Sequence, residues 1–323
     1  MKFTSPEKIT AECLPVMRSG STNGRTLKGK VLPFFSAMKT FEAYDFQKFT
    51  IVDLKNKTIG ILMTRPDMVW AQPIDTEGEH LPHIMIDRKS CAKINQWISE
   101  DREISVSFSV TTKQKKSRIT NILASKESKP QGLILSAHYD SFFNTVGAHD
   151  NASGAIALLG VSELLKENSD INPAICFFDA EEWNKFGAYS FVKNQKEKGS
   201  LSNIKLQINL DSVGVPDYIY MLTNPSIEKT VSRLAAPLSK KYGLKISVSS
   251  KDAFPQFDTW PFMREGVNVI QIGSRSDAAP FKHWHSKKDS LKNIDYDFIN
   301  NVVNCLSEFA VSISSSAIFK GKK

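Results

Sequence analysis

Four short apolar runs in the second half of the chain constrain the fold more than any other feature. They cover residues 133–137, 174–178, 205–210 and 267–272. Runs of this kind are typical of the central strands of a parallel sheet, which are buried on both faces. Helical patterns separate and follow them, over residues 154–166, 187–198, 227–242 and 296–314. Strands that alternate with helices predict an α/β fold, a three-layer α/β/α domain with a mixed, mostly parallel central sheet.

The residues before this domain have a different pattern. Strands are predicted over 58–64, 81–87 and 104–110, with a helical pattern over 88–99. We therefore expect a small β-rich accessory domain over residues 25–115 and the larger domain over 116–323. Residues 6–17 could form a short amphipathic helix, so residues 1–24 are expected to contribute a helix that packs on the larger domain.

The formal net charge of +8 allows a nucleic-acid partner but does not favour one. The excess lysines are scattered and no nucleic-acid module accompanies them, so we interpret them as solvent-exposed and expect no nucleic-acid partner. The four cysteines form no C-x-x-C pair, which argues against a thiolate metal site and against a dense disulfide framework.

No stretch of 18 apolar residues is present, so no membrane-spanning segment is expected. The first residues are too polar for the apolar core of a secretory signal. As written, the sequence therefore predicts a cytoplasmic protein; removal of a leader would make it a secreted one.

Polar residues of metal-binding type follow each of the four apolar runs. In chain order they are His138 with Asp140, Glu181 with Glu182, Asp211, and, after a loop, His285. In open α/β sheets the functional crevice lies outside the carboxyl ends of the strands. We therefore expect these side chains to converge on one site.

The residue types favour zinc at that site. Imidazoles with carboxylates and no thiolate suit Zn²⁺, with Co²⁺ or Mn²⁺ as possible substitutes. Two histidines and three carboxylates exceed what one tetrahedral ion needs, but they suit two ions that share a bridging carboxylate. The adjacent Glu181 and Glu182 suit a division of labour, in which one binds metal and the other moves a proton.

Five motifs resemble those of a known family. HYDS (138–141), GAHDNASG (147–154), FFDAEEWNKFGAYSFV (177–192), NLDSVG (209–214) and HSKKDSLKNID (285–295) are similar, in order, to the motifs of metallopeptidase family 28. This family consists of zinc exopeptidases with paired ions, and the resemblance covers residues 117–315. Residues 58–110 also resemble a protease-associated domain, chiefly through LPHIMIDRKSCAKI (81–94).

The family resemblance assigns five metal ligands by position. It implies that His138 and Asp211 hold one zinc ion and that Glu182 and His285 hold the other. Asp150 would bridge the two ions.

The resemblance also implies a reaction. A metal-bridging hydroxide would attack the peptide bond, with Glu181 as the general base and Asp140 orienting the imidazole of His138. The predicted function is that of a zinc-dependent exopeptidase, foremost an aminopeptidase that acts on a peptide with a free N-terminus.

Three alternatives remain open. A carboxypeptidase of the same family would use the same site with a basic pocket, for which Arg264 and Arg275 are candidates. A glutaminyl cyclase, an acyltransferase relative, would use a single zinc ion. A binding protein that has lost the chemistry would show gaps among the site positions, and none of these positions has an unsuitable residue.

Some neighbouring residues could be mistaken for ligands. The family pattern selects Asp150 over His149, and the H-x-x-x-D spacing to Asp289 selects His285 over His283. The acidic residues also have purely structural interpretations. Asp150 and Asn151 could cap the helix that begins at Gly154, and capping is compatible with metal bridging. Asp258 lies where the family often has a Ser-Asp-His segment, of which only the aspartate is present.

Overall fold

The structure is a computed structural model that describes residues 2–4, 8–10, 13–14, 21–22, 24–33, 47–64, 81–111, 118–125, 132–142, 145–168, 170–251, 256–276, 283, 285 and 287–319. The chain divides into two compact units, which comprise residues 1–116 with 285–287 and residues 117–284 with 288–323.

Over its described residues, the first unit forms an eight-stranded sheet with one helix. Its elements are β1 (Lys2–Thr4), β2 (Lys8–Thr10), β3 (Cys13–Leu14), β4 (Leu27–Pro33), β5 (Gln47–Val52), β6 (Thr58–Thr64), β7 (His83–Ile86), α1 (Arg88–Ser99) and β8 (Ser105–Phe108). The strand order is β2-β1-β8-β4-β5-β6-β7-β3, and only the β6–β7 pair is parallel among the described pairs. The helix α1 begins after Asp87, whose side chain accepts a hydrogen bond from the Ser90 amide at 2.8 Å. Trp97 and Ile94 of α1 are fully buried in the core of this unit.

The helix expected over residues 6–17 is wrong wherever the structure describes that segment. Lys8–Thr10 pairs with Lys2–Thr4, and Cys13–Leu14 pairs with Met85 and Ile86 of β7. Residues 5–7, 11–12 and 15–17 lie outside the described residues. Strand pairing within the first unit's sheet overrides the weak helical periodicity, as tertiary contacts commonly override local propensity.

The second unit contains the predicted α/β sheet. Its strands are β9 (Ile122–Ala124), β10 (Gly132–His138), β11 (Ala174–Phe178), β12 (Ile204–Leu210), β13 (Tyr218–Thr223), β14 (Lys245–Ser249) and β15 (Asn268–Arg275). The order is β14-β13-β15-β12-β10-β11-β9, with antiparallel pairing only at β9–β11 and β13–β15. The four apolar runs are therefore confirmed as the adjacent, mutually parallel strands β11, β10, β12 and β15.

Helices cover both faces of this sheet. They are α2 (Gly154–Leu165), α3 (Phe186–Glu197), α4 (Glu228–Tyr242), α5 (Thr259–Arg264) and α6 (Tyr296–Ser314). Alternate strand residues point to opposite faces. Leu133 and Leu135 of β10 belong to the core shared with α2, α4 and α6, whereas Ile134 belongs to the core shared with α3 and α5. The three-layer prediction is confirmed.

Among the described residues, no helix combines the length and the apolar character that crossing a bilayer requires.

Candidate metal centre

The sheet brings two predicted ligands side by side. His138 is the last residue of β10, and Asp211 directly follows the neighbouring parallel strand β12. Ser136 of β10 pairs with Asn209 of β12, so the two strands end level with each other. His138 is fully buried, and its Nε2 atom lies 3.7 Å from Oδ1 of Asp211.

The third predicted ligand, Asp150, lies in the turn before α2. Asp150 lies within the irregular turn Ala148–Ser153, has non-helical backbone angles, and is joined to Asn151 by a cis peptide bond. Its Oδ1 atom lies 3.1 Å from Nε2 of His138. The turn therefore places a carboxylate directly against the imidazole.

The five predicted ligands form two groups that share one residue. His138, Asp150 and Asp211 form the first group, and Asp150, Glu182 and His285 form the second. Within each group the nitrogen and carboxylate oxygen atoms lie within 4.8 Å of one another. Four of these residues are buried and Glu182 is half-buried. Imidazole and carboxylate donors that converge in this way fit zinc, and Asp150 is the residue that the two groups share.

Asp140 connects His138 with the two glutamates. Its carboxylate Oδ1 lies 3.4 Å from His138 Nδ1, and its backbone oxygen lies 3.1 Å from the same nitrogen. The same carboxylate accepts hydrogen bonds from the amides of Glu181 at 3.1 Å and Glu182 at 3.3 Å. Asp140 therefore contacts both the imidazole of a predicted ligand and the backbone of the adjacent glutamates.

Asn151 fixes the turn to the strand ends with four hydrogen bonds. Its side-chain nitrogen donates to the carbonyl oxygens of His138 at 3.3 Å and Leu210 at 3.0 Å. Its side-chain oxygen accepts from the amides of Gly154 and Ser212, both at 3.0 Å. Of the two predicted caps, Asp150 and Asn151, the Asn151 side chain bonds the amide of Gly154, the first residue of α2, although the N-cap position itself is Ser153. Its contacts with β10 and with the end of β12 could not be predicted from spacing.

Asp289 holds the other side of the same turn. Its carboxylate, 1% exposed, accepts hydrogen bonds from the amides of His149 at 2.7 Å and Asp150 at 3.1 Å. In the sequence, Asp289 distinguishes His285 from His283, and the resemblance implies that it orients the His285 imidazole as Asp140 orients that of His138. The structure shows that it also anchors the backbone of the Asp150 turn.

The histidines next to the predicted ligands lie outside both groups. Nδ1 of His149 accepts a hydrogen bond from the Gly214 amide at 3.2 Å, and burial lowers the pKa of its imidazole. Neither His149 nor His283 is a member of the two groups formed by the described residues. His149 therefore supports the backbone beside Asp211.

Burial and charge together shift the pKa values of the central groups. Burial lowers the pKa of His138, but contacts with Asp140, Asp150 and Asp211 raise it more, and the net pKa lies well above its ordinary value. Burial raises the pKa of Glu181 well above its usual range. A raised carboxyl pKa suits a group that accepts and releases a proton near neutral pH.

Asp258 lies at the N-terminus of α5 and is fully buried. Burial is the main cause that raises the pKa of its carboxyl to about 8, and the charges of Asp140 and Asp211 add to the shift. The charges of His138 and Lys185 act in the opposite direction. The aspartate that the sequence left without a role is therefore electrostatically linked to the candidate centre.

The side chain of Tyr220, a residue that the sequence did not single out, lies against Gly273 of β15. A Cβ on Gly273 would lie 2.2 Å from the Tyr220 hydroxyl oxygen and 2.7 Å from the carbonyl oxygen of Asp211, so this position requires glycine. The Arg275 guanidinium carbon lies 4.6 Å from the centre of the Tyr220 ring. Arg264, the other basic candidate, ends α5 just before β15 begins and so lies toward the opposite end of that strand.

Comparison with known proteins places this geometry in context. A sequence model of the family described as Peptidase family M28 matches residues 119–310. Aminopeptidase YwaD of Bacillus subtilis is 26% identical over 206 residues, which cover 61% of this chain and 44% of the relative. Glutaminyl-peptide cyclotransferase of Drosophila melanogaster is 26% identical over 217 residues, which cover 55% of this chain and 60% of the relative. The chain thus spans about half the length of these curated relatives.

Solved structures show the same fold. BSAP, a zinc aminopeptidase from Bacillus subtilis, superposes with a TM-score of 0.65 at 20% identity and covers 97% of this chain and 80% of that one. A Peptidase M28 precursor from Shewanella amazonensis superposes with a TM-score of 0.68 at 16% identity, covering 98% of this chain and 80% of that one.

Proposed function

Because the chain belongs to peptidase family M28, we propose that it is a zinc-dependent aminopeptidase that removes the first residue from peptides with a free α-amino group. The observation that carries the proposal is the pair of ligand groups that share Asp150. The aminopeptidase relative YwaD supports the choice among family activities.

The ligands divide between two metal positions in the proposal. His138 and Asp211 would hold one zinc ion, Glu182 and His285 would hold the other, and Asp150 would contact both. Bound zinc ions would polarise the scissile carbonyl and lower the pKa of water in the site.

In the proposal, Glu181 carries out both proton transfers of the reaction. Its carboxylate takes a proton from the attacking water while the water oxygen bonds to the carbonyl carbon of the substrate. As the C–N bond breaks, the same carboxyl group returns the proton to the departing nitrogen, so the products are a free amino acid and a shortened peptide. Asp140 holds the Glu181 amide and thereby fixes the base. Burial, which raises the pKa of Glu181, brings its proton affinity closer to what both transfers require.

A paired-substrate assay tests the activity. We expect amino-acid release from a leucyl peptide but not from its N-acetylated twin, with loss of release in chelator and recovery in zinc. Similar release from both peptides would instead favour the carboxypeptidase, and release from neither would refute the proposed aminopeptidase activity.

A variant tests the role of the base. Glu181→Gln should retain zinc and lose kcat by roughly 10²–10⁴-fold, the usual contribution of a general base. Glu197→Gln, at the exposed C-terminal end of α3, is the matched control and should leave kcat unchanged. A Glu181→Gln protein with wild-type kcat would refute the assignment.

A second candidate is glutaminyl cyclisation, because the fly glutaminyl-peptide cyclotransferase matches at the same identity as the aminopeptidase. A cyclase would release ammonia from a peptide with N-terminal glutamine and leave the chain length unchanged, and it would bind one zinc ion. An aminopeptidase would release the glutamine and bind two. Product mass and zinc stoichiometry together separate the two functions.

A further inference from the structure

A row of polar side chains crosses the interior of the second sheet, where parallel strands ordinarily carry apolar residues. The row consists of Gln207, Ser136, Asn209 and Gln271, and each of the four is 0% exposed. Ser136 pairs with Asn209 across β10 and β12, and Asn209 pairs with Gln271 across β12 and β15. We refer to these four residues as the polar row.

Hydrogen bonds in the polar row run in one direction. Gln207 donates to the Ser136 hydroxyl at 2.9 Å, and Ser136 donates to the Asn209 side-chain oxygen at 2.7 Å. Asn209 then donates to the Gln271 side-chain oxygen at 3.0 Å, and Gln271 donates to the carbonyl oxygen of Ile272 at 3.3 Å. Chains of this kind polarise one another, so the bonds strengthen cooperatively and favour one arrangement.

The polar row lies directly beneath the candidate metal ligands. Ser136 is two residues before His138, and Asn209 is two residues before Asp211. Because side chains two apart on a strand share a face, the row supports the face from which these ligands project. The Ile272 carbonyl that ends the row also accepts the backbone hydrogen bond of Asp211, at 2.9 Å.

Stability alone does not explain four buried polar groups at these positions. Placing an amide or hydroxyl in an apolar interior costs free energy, which its hydrogen bonds at best offset. Apolar side chains of similar volume would fill the same space without that cost. What the hydrogen bonds add is a fixed register and separation of β10, β12 and β15 at the level of the ligands.

We propose that the polar row is a positioning element that sets the separation of His138 and Asp211 and thereby the affinity and geometry of the metal ion that these two residues hold. The inference rests on the proposed function, because it requires that zinc binds. It concerns residues that do not themselves touch the metal.

The test compares variants of the full chain by metal binding and by stability. Asn209→Leu removes the central link of the row. A quadruple variant, Gln207→Met and Ser136→Ala with Asn209→Leu and Gln271→Met, makes the whole row apolar. Thr223→Val is the matched control, because Thr223 is also 0% exposed and donates one hydrogen bond, to the Val269 carbonyl near the start of β15, away from the ligands.

Zinc affinity is measured on metal-free protein by competition with a chelator, and site geometry by visible absorption after Co²⁺ binding. We expect Asn209→Leu and the quadruple variant to bind at least one zinc ion about 10- to 100-fold more weakly, as for other residues that orient ligands. Their cobalt spectra should differ from that of the wild type. Thr223→Val should leave affinity and spectrum unchanged even where its unfolding temperature falls.

The outcomes separate positioning from packing. The metal-free quadruple variant should keep a near-wild-type unfolding temperature, since replacing all partners of a buried network can be nearly neutral. Wild-type zinc affinity and spectrum in that variant would overturn the inference while leaving the proposed function intact. A wild-type chain that binds no zinc would overturn both. If Asn209→Leu does not fold, Ser136→Ala, which removes only a hydroxyl, serves for the same comparison.

Discussion

Replacing Asn151 by alanine should weaken the second unit more than its size suggests. The side chain is 1% exposed and makes four hydrogen bonds, to the backbone of His138, Leu210, Gly154 and Ser212. At about 1 kcal/mol net for each bond, the variant should lose about 4 kcal/mol of unfolding free energy. That is a large fraction of the roughly 5–15 kcal/mol that ordinarily stabilises a folded domain.

Urea unfolding of the metal-free protein measures this loss, and chelator competition measures zinc affinity on the same samples. Asn304→Ala is the control, because the Asn304 side chain donates one exposed hydrogen bond, to the carbonyl oxygen of Asn300 in the same helix, α6. A control variant of this kind should change the unfolding free energy by less than about 0.5 kcal/mol.

A much smaller loss of unfolding free energy would contradict this prediction. If Asn151→Ala lost no more than about 1 kcal/mol, the four backbone groups would have other partners and the additive estimate would be refuted. If stability fell but zinc affinity did not, Asn151 would support the fold without holding the Asp150 turn in place.

Two further predictions follow from buried titratable groups. In metal-free protein the pKa of Asp258, raised mainly by burial, is about 8, against about 3.9 in an unfolded chain. Between these two pH values the Asp258 carboxyl is protonated in the folded state and ionised in the unfolded chain, so this group makes the unfolding free energy fall as pH rises. Asp258→Asn should remove this contribution to the decline. Equal pH slopes for the wild type and the variant in urea unfolding would contradict the prediction. Cys91, Cys176 and Cys305 are buried, and burial raises the pKa of Cys305 to about 12. Alkylation of these three thiols, followed by peptide mass mapping, should therefore track unfolding, and rapid labelling of the native protein would contradict it.

Four of the five predicted ligands follow, directly or through a loop, a strand that is visible as an apolar run, whereas Asp150 was assigned only by the family resemblance. His138 and Asp211 come directly after such runs, so the convergence of parallel strand ends was enough to bring them together. The same reasoning gave the three layers of the second unit and the main helix boundaries.

Features that depend on register could not be predicted in the same way. Ser136 and Asn209 meet only because β10 and β12 pair in one particular alignment, which no spacing along the chain reveals. Tyr220 was missed because its strand, Tyr218–Thr223, was not predicted, and the N-terminal helix was wrong because strand partners far along the chain determine the conformation there.

The contact between Asp289 and the Asp150 turn joins residues that are 140 and 139 positions apart. A chain growing from the ribosome exposes the turn long before its anchor has been synthesised. His285, a member of the second ligand group, also comes late in the chain. An incomplete chain therefore lacks both the anchor and one predicted ligand, so the proposed metal site can be completed only once nearly the whole sequence has been made.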